Sequence, residues 1–480
     1  MSLKSPVRTR IAPSPTGQMH VGSLRTALYN YAFAKQTQGQ FILRIEDTDQ
    51  KRLVVDAQTN LINILKVFKL NYDEGPLVGG PHGPYIQTQR LDIYQKYIQK
   101  LLQIGRAYYC FCSSDRLQKM RQNQEKHQQK PHYDRRCLSL GEKQIEKKLK
   151  NGDPFVVRLK VPDNQDIVCH DLIRGQILIN SAEVDDQILI KSNGIPTYHF
   201  AVVVDDHLMK ISHVIRGDEW ISSLPKQILL YQYFGWKPPI FVHLPVFLDP
   251  AGRGKMSKRH GSVSAQSFLD QGYLPAALLN YLMLLGWNPG DQREIFSLKQ
   301  FIEEFNLAKV HKTQPAFDQR KLDYLNAYYI RQLSAPKFAH LLTPFTPKIN
   351  PSLIKQIAPL LKERINKLTD AIPLTEFFYQ DVSYSTQLLF QRGADKDLVV
   401  DMLTQTHEAL KNISHWHLQL IQMILLDLIA KNKWNTGQFF MIFRVAICGA
   451  PRTLPVVDCL PSLGQDKTLK KLSLALEKLK

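Results

Sequence analysis

The first fifty residues constrain the fold more than any other stretch. Residues 7–12 (VRTRIA) read as a short strand, and Pro13-Ser14-Pro15-Thr16-Gly17 stops it, because proline lacks a donor and restricts the residue before it. From Val21 a helical pattern begins, with Leu24, Leu28 and Ala32 on one face. Residues 41–45 form a second strand pattern, ended by Glu46-Asp47-Thr48-Asp49. Strand, loop, helix, strand is a βαβ unit, so the chain is expected to be α/β with a parallel sheet. Ligands of such sheets sit at the carboxyl ends of the strands, where 13–22 and 46–49 fall.

Beyond this unit the pattern changes twice. Residues 113–150 are polar and basic and read as a helical or loop insertion. Residues 154–204 hold short β-like runs: PFVVRLKV, QILIN, QILIKS and TYHFAVVV. Asn193-Gly194 is a turn signal between the last two. From about residue 261 the pattern turns helical, as in 274–285 and 417–429. A chain of 480 residues suggests roughly three domains, each large enough for its own core.

Charge narrows the partner. There are 62 Lys and Arg against 43 Asp and Glu, a net of +19. Residues 331–480 carry 19 of those cations against 12 acids, so the excess is spread along the chain rather than held in one arm. A long polyanion touching several domains fits this distribution. The six cysteines are too few for a disulfide scaffold. MSLKSPVRTRIAPSP lacks the apolar segment of a secretion signal, and 274–287, interrupted by Asn280, falls short of the ~20 residues a membrane span needs. A cytoplasmic protein with reduced thiols and no membrane partner is expected.

Two segments carry chemistry. In the first, His20 stands at the entrance of a helix that follows a strand, between Gly17 and Gly22. A helix N-terminus offers N–H groups and positive potential that suit phosphate, and the glycines let a nucleotide approach the backbone. The second is Gly254-Lys255-Met256-Ser257-Lys258-Arg259-His260-Gly261, whose three cations in five residues can wrap a triphosphate and stabilise a leaving pyrophosphate.

The pair His20-Val21-Gly22 and Lys255-Met256-Ser257-Lys258-Arg259 resembles the signatures of class I aminoacyl-tRNA synthetases. RIAPSPTG (10–17), RIEDTD (44–49), PTYHFAVVVDDHLM (196–209), VIRGDEW (214–220) and GYLPAALLNYLMLLGW (272–287) resemble the bacterial glutamyl-tRNA synthetases, strongly over residues 1–330. FRVAICGAPRTLPV (443–456) and LGQDKTLKKLSLALEKL (463–479) continue the likeness more weakly. Glutaminyl enzymes usually show Glu-Pro-Asn-Gly where this chain has Ser14-Pro15-Thr16-Gly17.

The resemblance implies a Rossmann-type catalytic core (1–86 with 199–252), an α+β acceptor-stem insertion (87–198) and a connecting domain with the Lys-Met-Ser-Lys-Arg loop (253–333). Two all-helical anticodon-binding domains (334–392 and 393–480) would follow. It implies catalysis by His20, Lys255 and Lys258, and ATP, with Mg2+, at Gly17, His20, Gly22, Lys255, Ser257 and Lys258. L-glutamate would meet Arg10, Ser14, Glu46, Tyr198 and Arg216. A substrate with two carboxylates and one ammonium needs cations in a fixed fork and one anion, which Arg10, Arg216 and Glu46 can supply. Arg216 could instead pair structurally with Asp205 or Asp206. The partner is tRNA(Glu), and the enzyme is expected to be a monomer. Arg364 roughly matches a base-reading position of the anticodon domain, though a helix-surface arginine fits equally.

The family's zinc ligands are matched by Cys110, Cys112 and Cys137, but the fourth position is Ser139, a poor ligand. His132 or another nearby group could complete the set, or three leftover cysteines could remain without metal. Zinc held at less than one tight ion per chain is the expectation. Two rival functions share these motifs. A relative that glutamylates a modified tRNA base lacks the helical C-terminal domains. A non-catalytic tRNA-binding protein would not need His20, Lys255, Lys258, Glu46, Arg10 and Arg216 together.

Overall fold

Strand β1 (Arg8–Ile11) and strand β2 (Gln40–Leu43) pair in parallel, with Arg10 opposite Ile42. The helix Val21–Gln36 joins them, and Leu24, Leu28 and Ala32 are fully buried on its inner face. The βαβ unit is therefore present: a parallel strand pair needs a crossover connection, and the apolar stripe of this helix packs on the pair. The structure is a computed structural model that describes residues 6–249, 254 and 263–480.

Seven further strands follow: β3 (Ala107–Cys110), β4 (Val156–Leu159), β5 (Asp166–Asp171), β6 (Gly175–Asn180), β7 (Ile188–Ile190), β8 (His213–Gly217) and β9 (Ile240–Leu244). β3, β4 and β7 make an antiparallel sheet. β6, β5, β9 and β8 make a second sheet in that order. Within it β5 and β6 form an antiparallel hairpin, while β5–β9 and β8–β9 run parallel. The Ser212 N–H donates to the Arg8 carbonyl at 3.0 Å, which sets β1 beside the entry to β8. The carboxyl ends of β1, β2 and β8 thus gather at one edge.

One sequence expectation fails here. TYHFAVVV (197–204) reads as β-like, yet Tyr198–Leu208 is a helix with Thr197 in extended conformation before it. Residues 200–206 are all buried, so the helix is apolar around most of its circumference. Such a segment has no polar face to reveal its period, and three consecutive valines then mimic a strand. Accordingly Asn193-Gly194 turns from β7 into this helix rather than into a strand, with Gly194 at φ +79°. The polar stretch 113–150 contains helices Ser114–Lys126 and Glu142–Lys150.

Among the described residues the chain packs as two units, one running to Phe268 together with Leu278–Gln319, the other comprising Leu269–Ala277 with Arg320–Lys480. The second unit has helices and no strand among the described residues. Its helices Lys396–Lys411, Leu418–Lys431, Thr436–Cys448 and Gln465–Glu477 bury Leu403, Leu425, Phe443 and Leu472 against one another. Asn435 starts the third of these by accepting the Gln438 N–H at 2.9 Å, which satisfies one of the orphan donors of a helix start. No helix among the described residues is long and apolar enough to cross a membrane.

Candidate active site

A cavity of about 840 Å³ opens at the gathered strand ends. The segment after β1 lines it with Arg10, Ser14, His20 and Gly22; Glu46 enters after β2, Tyr198 from its helix and Arg216 from β8. Seven residues singled out in the sequence thus meet around one space. Gly17 does not line it; its φ of +146° suits glycine in the turn before His20. Lys255, Ser257 and Lys258 lie outside the described residues. Arg364 belongs to the helical unit, where it is exposed just beyond the helix Pro351–Lys362.

His20 is fixed by its own helix. Its Nδ1 accepts the Gly22 backbone N–H at 2.9 Å, so in the neutral ring the hydrogen sits on Nε2. A Cβ at residue 22 would lie 3.1 Å from that Nδ1, so any side chain there would press on the ring. The result is a ring N–H donor at a helix N-terminus, the arrangement that attracts phosphate.

Below the cavity lies a buried ionic network. Arg10 donates through Nε and Nη2 to Asp206 at 3.1 and 3.3 Å. Arg44, wholly buried, reaches Asp206 at 2.7 Å and Glu46 at 2.9 Å, with Asp205 at 3.7 Å. Arg90 holds Asp205 at 2.7 Å, and Tyr94 donates to the same carboxylate at 2.9 Å. Burial pushes the Glu46 carboxyl up to about 7, against the pull of Arg44 and Arg10. Burial also raises Asp206, but its two arginines hold it below the ordinary carboxylate range.

Arg216 differs from these arginines because its partners are uncharged. Its Nε donates to His243 Nε2 at 3.0 Å and its Nη1 to the Tyr198 hydroxyl at 3.2 Å. Its Nη2 is buried without a hydrogen-bond partner among the described residues. The alternative pairing with Asp205 or Asp206 does not occur, since Arg10, Arg44 and Arg90 take those carboxylates. Trp220 packs on Tyr198 with ring centroids 4.4 Å apart, and Lys191, also lining the cavity, donates to the Thr48 carbonyl at 2.7 Å.

Sequence reasoning missed Arg44, His243 and Asp171. Arg44 sits inside the RIEDTD run, so its signal was present beside Glu46. His243 and Asp171 carry no local signal, because their roles depend on strand pairing.

Away from the cavity, the Sγ atoms of Cys110, Cys112 and Cys137 lie within 4.8 Å of one another. The Tyr133 hydroxyl is 3.3 Å from both the Cys110 and Cys112 sulfurs. Ser139 is turned to the Arg136 carbonyl at 2.9 Å, and His132 Nδ1 faces Asp185 at 3.5 Å. The fourth donor beside the three thiols is therefore a phenol four residues before Cys137, because the turn into Arg136–Ser139 brings Tyr133 back over them.

Comparison with known proteins shows the family. The family described as tRNA synthetases class I (E and Q), catalytic domain, matches residues 6–324, and an anticodon binding domain matches residues 337–476. A glutamate–tRNA ligase of Clostridium botulinum is 42% identical over 483 residues, spanning 99% of each chain. One of Borreliella afzelii is 40% identical and spans 98% of each. The crystal structure of a glutamate tRNA ligase from Elizabethkingia meningosepticum, in complex with its amino acid, superposes with a TM-score of 0.87 at 33% identity, covering 99% of this chain and all of that one.

Proposed function

The chain belongs to the class I tRNA synthetases for glutamate and glutamine, and from that premise we propose that it is a glutamate–tRNA ligase. In the first step an oxygen of the glutamate α-carboxylate attacks the α-phosphorus of ATP. A carboxylate–phosphate anhydride forms and pyrophosphate leaves. The nucleophile is already ionised, so no base is needed, and the protein contributes position and charge. In the second step a ribose hydroxyl of the terminal adenosine of tRNA(Glu) attacks the activated carbonyl and AMP leaves.

One observation carries the choice of amino acid. Arg10, Arg44 and Arg90 are paired with Glu46, Asp205 and Asp206, whereas among the described residues Arg216 bonds only the uncharged His243 and Tyr198. The odd cation, Arg216, is the one with a spare donor. Glutamate offers that spare donor a side-chain carboxylate, with which it makes a charge-assisted bond. Neutral glutamine offers only an amide oxygen. Arg216 and Arg10 take the carboxylates, Glu46 the ammonium, and Tyr198 and Ser14 border the same space.

For ATP, with Mg2+, the His20 Nε2–H and the helix start meet the phosphates, with Gly17 and Gly22 keeping the backbone approach open. Lys255 and Lys258 bind the β- and γ-phosphates, and Ser257 belongs to the same ATP site. Lys258, Lys255 and His20 are the catalytic set, because charge develops on the departing pyrophosphate. The residues from about 334 onward read the anticodon, with Arg364 a contact candidate, and 87–198 meets the acceptor stem. The enzyme works as a cytoplasmic monomer. Three converging thiols and the Tyr133 phenol fit a tetrahedral zinc, which Cys110, Cys112, Cys137 and Tyr133 would hold as a structural clamp on the insertion.

The test is ATP–pyrophosphate exchange with glutamate and with glutamine, each with and without tRNA. Exchange that requires glutamate supports the reading; exchange driven equally by glutamine, or none under any condition, overturns it.

A further inference from the structure

Three buried side chains form a row across the four-stranded sheet. Arg216 on β8 is the register partner of His243 on β9, and Asp171, at the end of β5, pairs with Phe241 of the same strand. His243 Nε2 receives the Arg216 Nε–H at 3.0 Å, and His243 Nδ1 lies 2.8 Å from Asp171 Oδ2. That same oxygen accepts the His243 backbone N–H at 2.9 Å. Asp171 Oδ1 accepts the backbone N–H groups of Ile173 and Arg174 at 2.9 and 2.7 Å, which anchors the carboxylate in the β5–β6 turn.

The protonation pattern follows from the donors. An arginine Nε always carries its hydrogen, so His243 Nε2 must accept, and the ring hydrogen must sit on Nδ1 facing Asp171. The imidazole is therefore neutral. Arg10 and Arg44 are aimed by carboxylates that also cancel their charge. Arg216 is aimed by a lone pair, so no carboxylate among the described residues touches its guanidinium and Asp171 stands off behind the imidazole.

We propose that His243, held by Asp171, is a positioning residue that aims Arg216 at the substrate carboxylate without neutralising it, and that this relay sets the preference for an acid over its amide. The proposal rests on the reading that Arg216 contacts glutamate. An acidic residue at 243 would orient the guanidinium equally well but pair with it directly, weakening the demand for an anionic side chain.

The experiment measures KM for glutamate and for ATP, and the glutamate-to-glutamine ratio in pyrophosphate exchange. The proteins are wild type, His243→Leu, His243→Gln, Arg216→Gln and the double variant Arg216→Gln/His243→Leu. A glutamine oxygen can accept the Arg216 Nε–H near the place of Nε2. His243→Leu is expected to raise the glutamate KM about tenfold with little change for ATP, and to narrow the glutamate preference by a like factor. His243→Gln should recover most of it, and His243→Leu should add nothing in the Arg216→Gln background. Equal rises in both KM values, or the same penalty in the Arg216→Gln background, would show a merely structural histidine and overturn the relay. If His243→Leu does not fold, His243→Asn, which can donate to Asp171 but not reach Arg216, takes its place. If Arg216→Gln alone leaves the glutamate KM unchanged, it is the underlying pocket assignment that fails.

Discussion

Replacing Arg44 by methionine tests the buried network beneath the cavity. The side chain is wholly buried and binds Asp206 at 2.7 Å and Glu46 at 2.9 Å, with Asp205 at 3.7 Å. Methionine fills similar volume, so the loss is mainly electrostatic. Three carboxylates would then face only Arg10 and Arg90. Removing one partner of a buried ion pair costs about 3–5 kcal/mol, a large part of the roughly 5–15 kcal/mol that holds a domain folded. The sign of the pH dependence follows. Without Arg44, Glu46 and Asp206 both titrate higher in the folded state than in wild type. A folded-state carboxyl raised above its unfolded value costs stability that grows as pH rises past the unfolded value. The penalty of Arg44→Met should therefore be largest near pH 8 and shrink toward about pH 5.5, where those carboxyls take up protons. Urea unfolding followed by tryptophan fluorescence measures it. In a background with Trp416→Phe and Trp434→Phe, the remaining reporters Trp220, Trp236 and Trp287 all lie in the catalytic unit. A loss below about 1 kcal/mol, or one that does not change with pH, would refute the view that Arg44 is the charge that keeps these carboxylates ionised.

Other outcomes follow from the same structure. Lys258→Ala should slow glutamyl-adenylate formation by about 10²–10³-fold, the scale of losing one transition-state donor, and wild-type rates in a rapid-quench assay would remove it from the mechanism. Because Glu46 must be ionised to hold an ammonium and burial lifts it to about 7, the glutamate KM should climb as pH falls through that value while the ATP KM stays level. Glu46→Gln should flatten that profile. The Tyr133 phenol beside the thiols reverses the expectation of less than one tight zinc per chain that Ser139 suggested: elemental analysis should find zinc with the chain, with Tyr133→Phe binding it at least about tenfold more weakly and Cys110→Ser losing it; unchanged zinc in Tyr133→Phe would exclude the phenol as a ligand.

What could be read from the sequence was whatever is announced locally. Arg10, His20, Gly22, Glu46 and Arg216 each end a strand or open a helix, and short motifs mark those places, so they could be named and are found around one cavity. Their roles toward ATP and glutamate remain for the experiments above. What could not be read depends on distant pairing. Arg44 was visible beside Glu46, but its tie to Asp206 joins residues 162 positions apart. Tyr133 replaced Ser139 beside the thiols because a 3₁₀ turn, not the ligand spacing, decides which hydroxyl points inward. The helix Tyr198–Leu208 was disguised by burial on nearly every side, which erased its period.

The order in which the chain visits its two larger sheets restricts how the protein can be made and remade. β3 and β4 belong to one sheet, β5 and β6 to the other, and β7 returns to the first. No single contiguous block of sequence therefore contains either of these two sheets alone, and grafting residues 87–198 from a relative would transplant Asp171 and its hairpin along with the β3–β4–β7 sheet. During synthesis the hairpin leaves the ribosome well before β9, since His243 follows Asp171 by 72 residues. Until β9 arrives, the inner edge of β5 has no partner, while Val168 and Leu178 face solvent even in the finished protein. A nascent chain paused between residues 180 and 240 thus presents an open strand edge flanked by apolar side chains, the condition under which chains pair with one another.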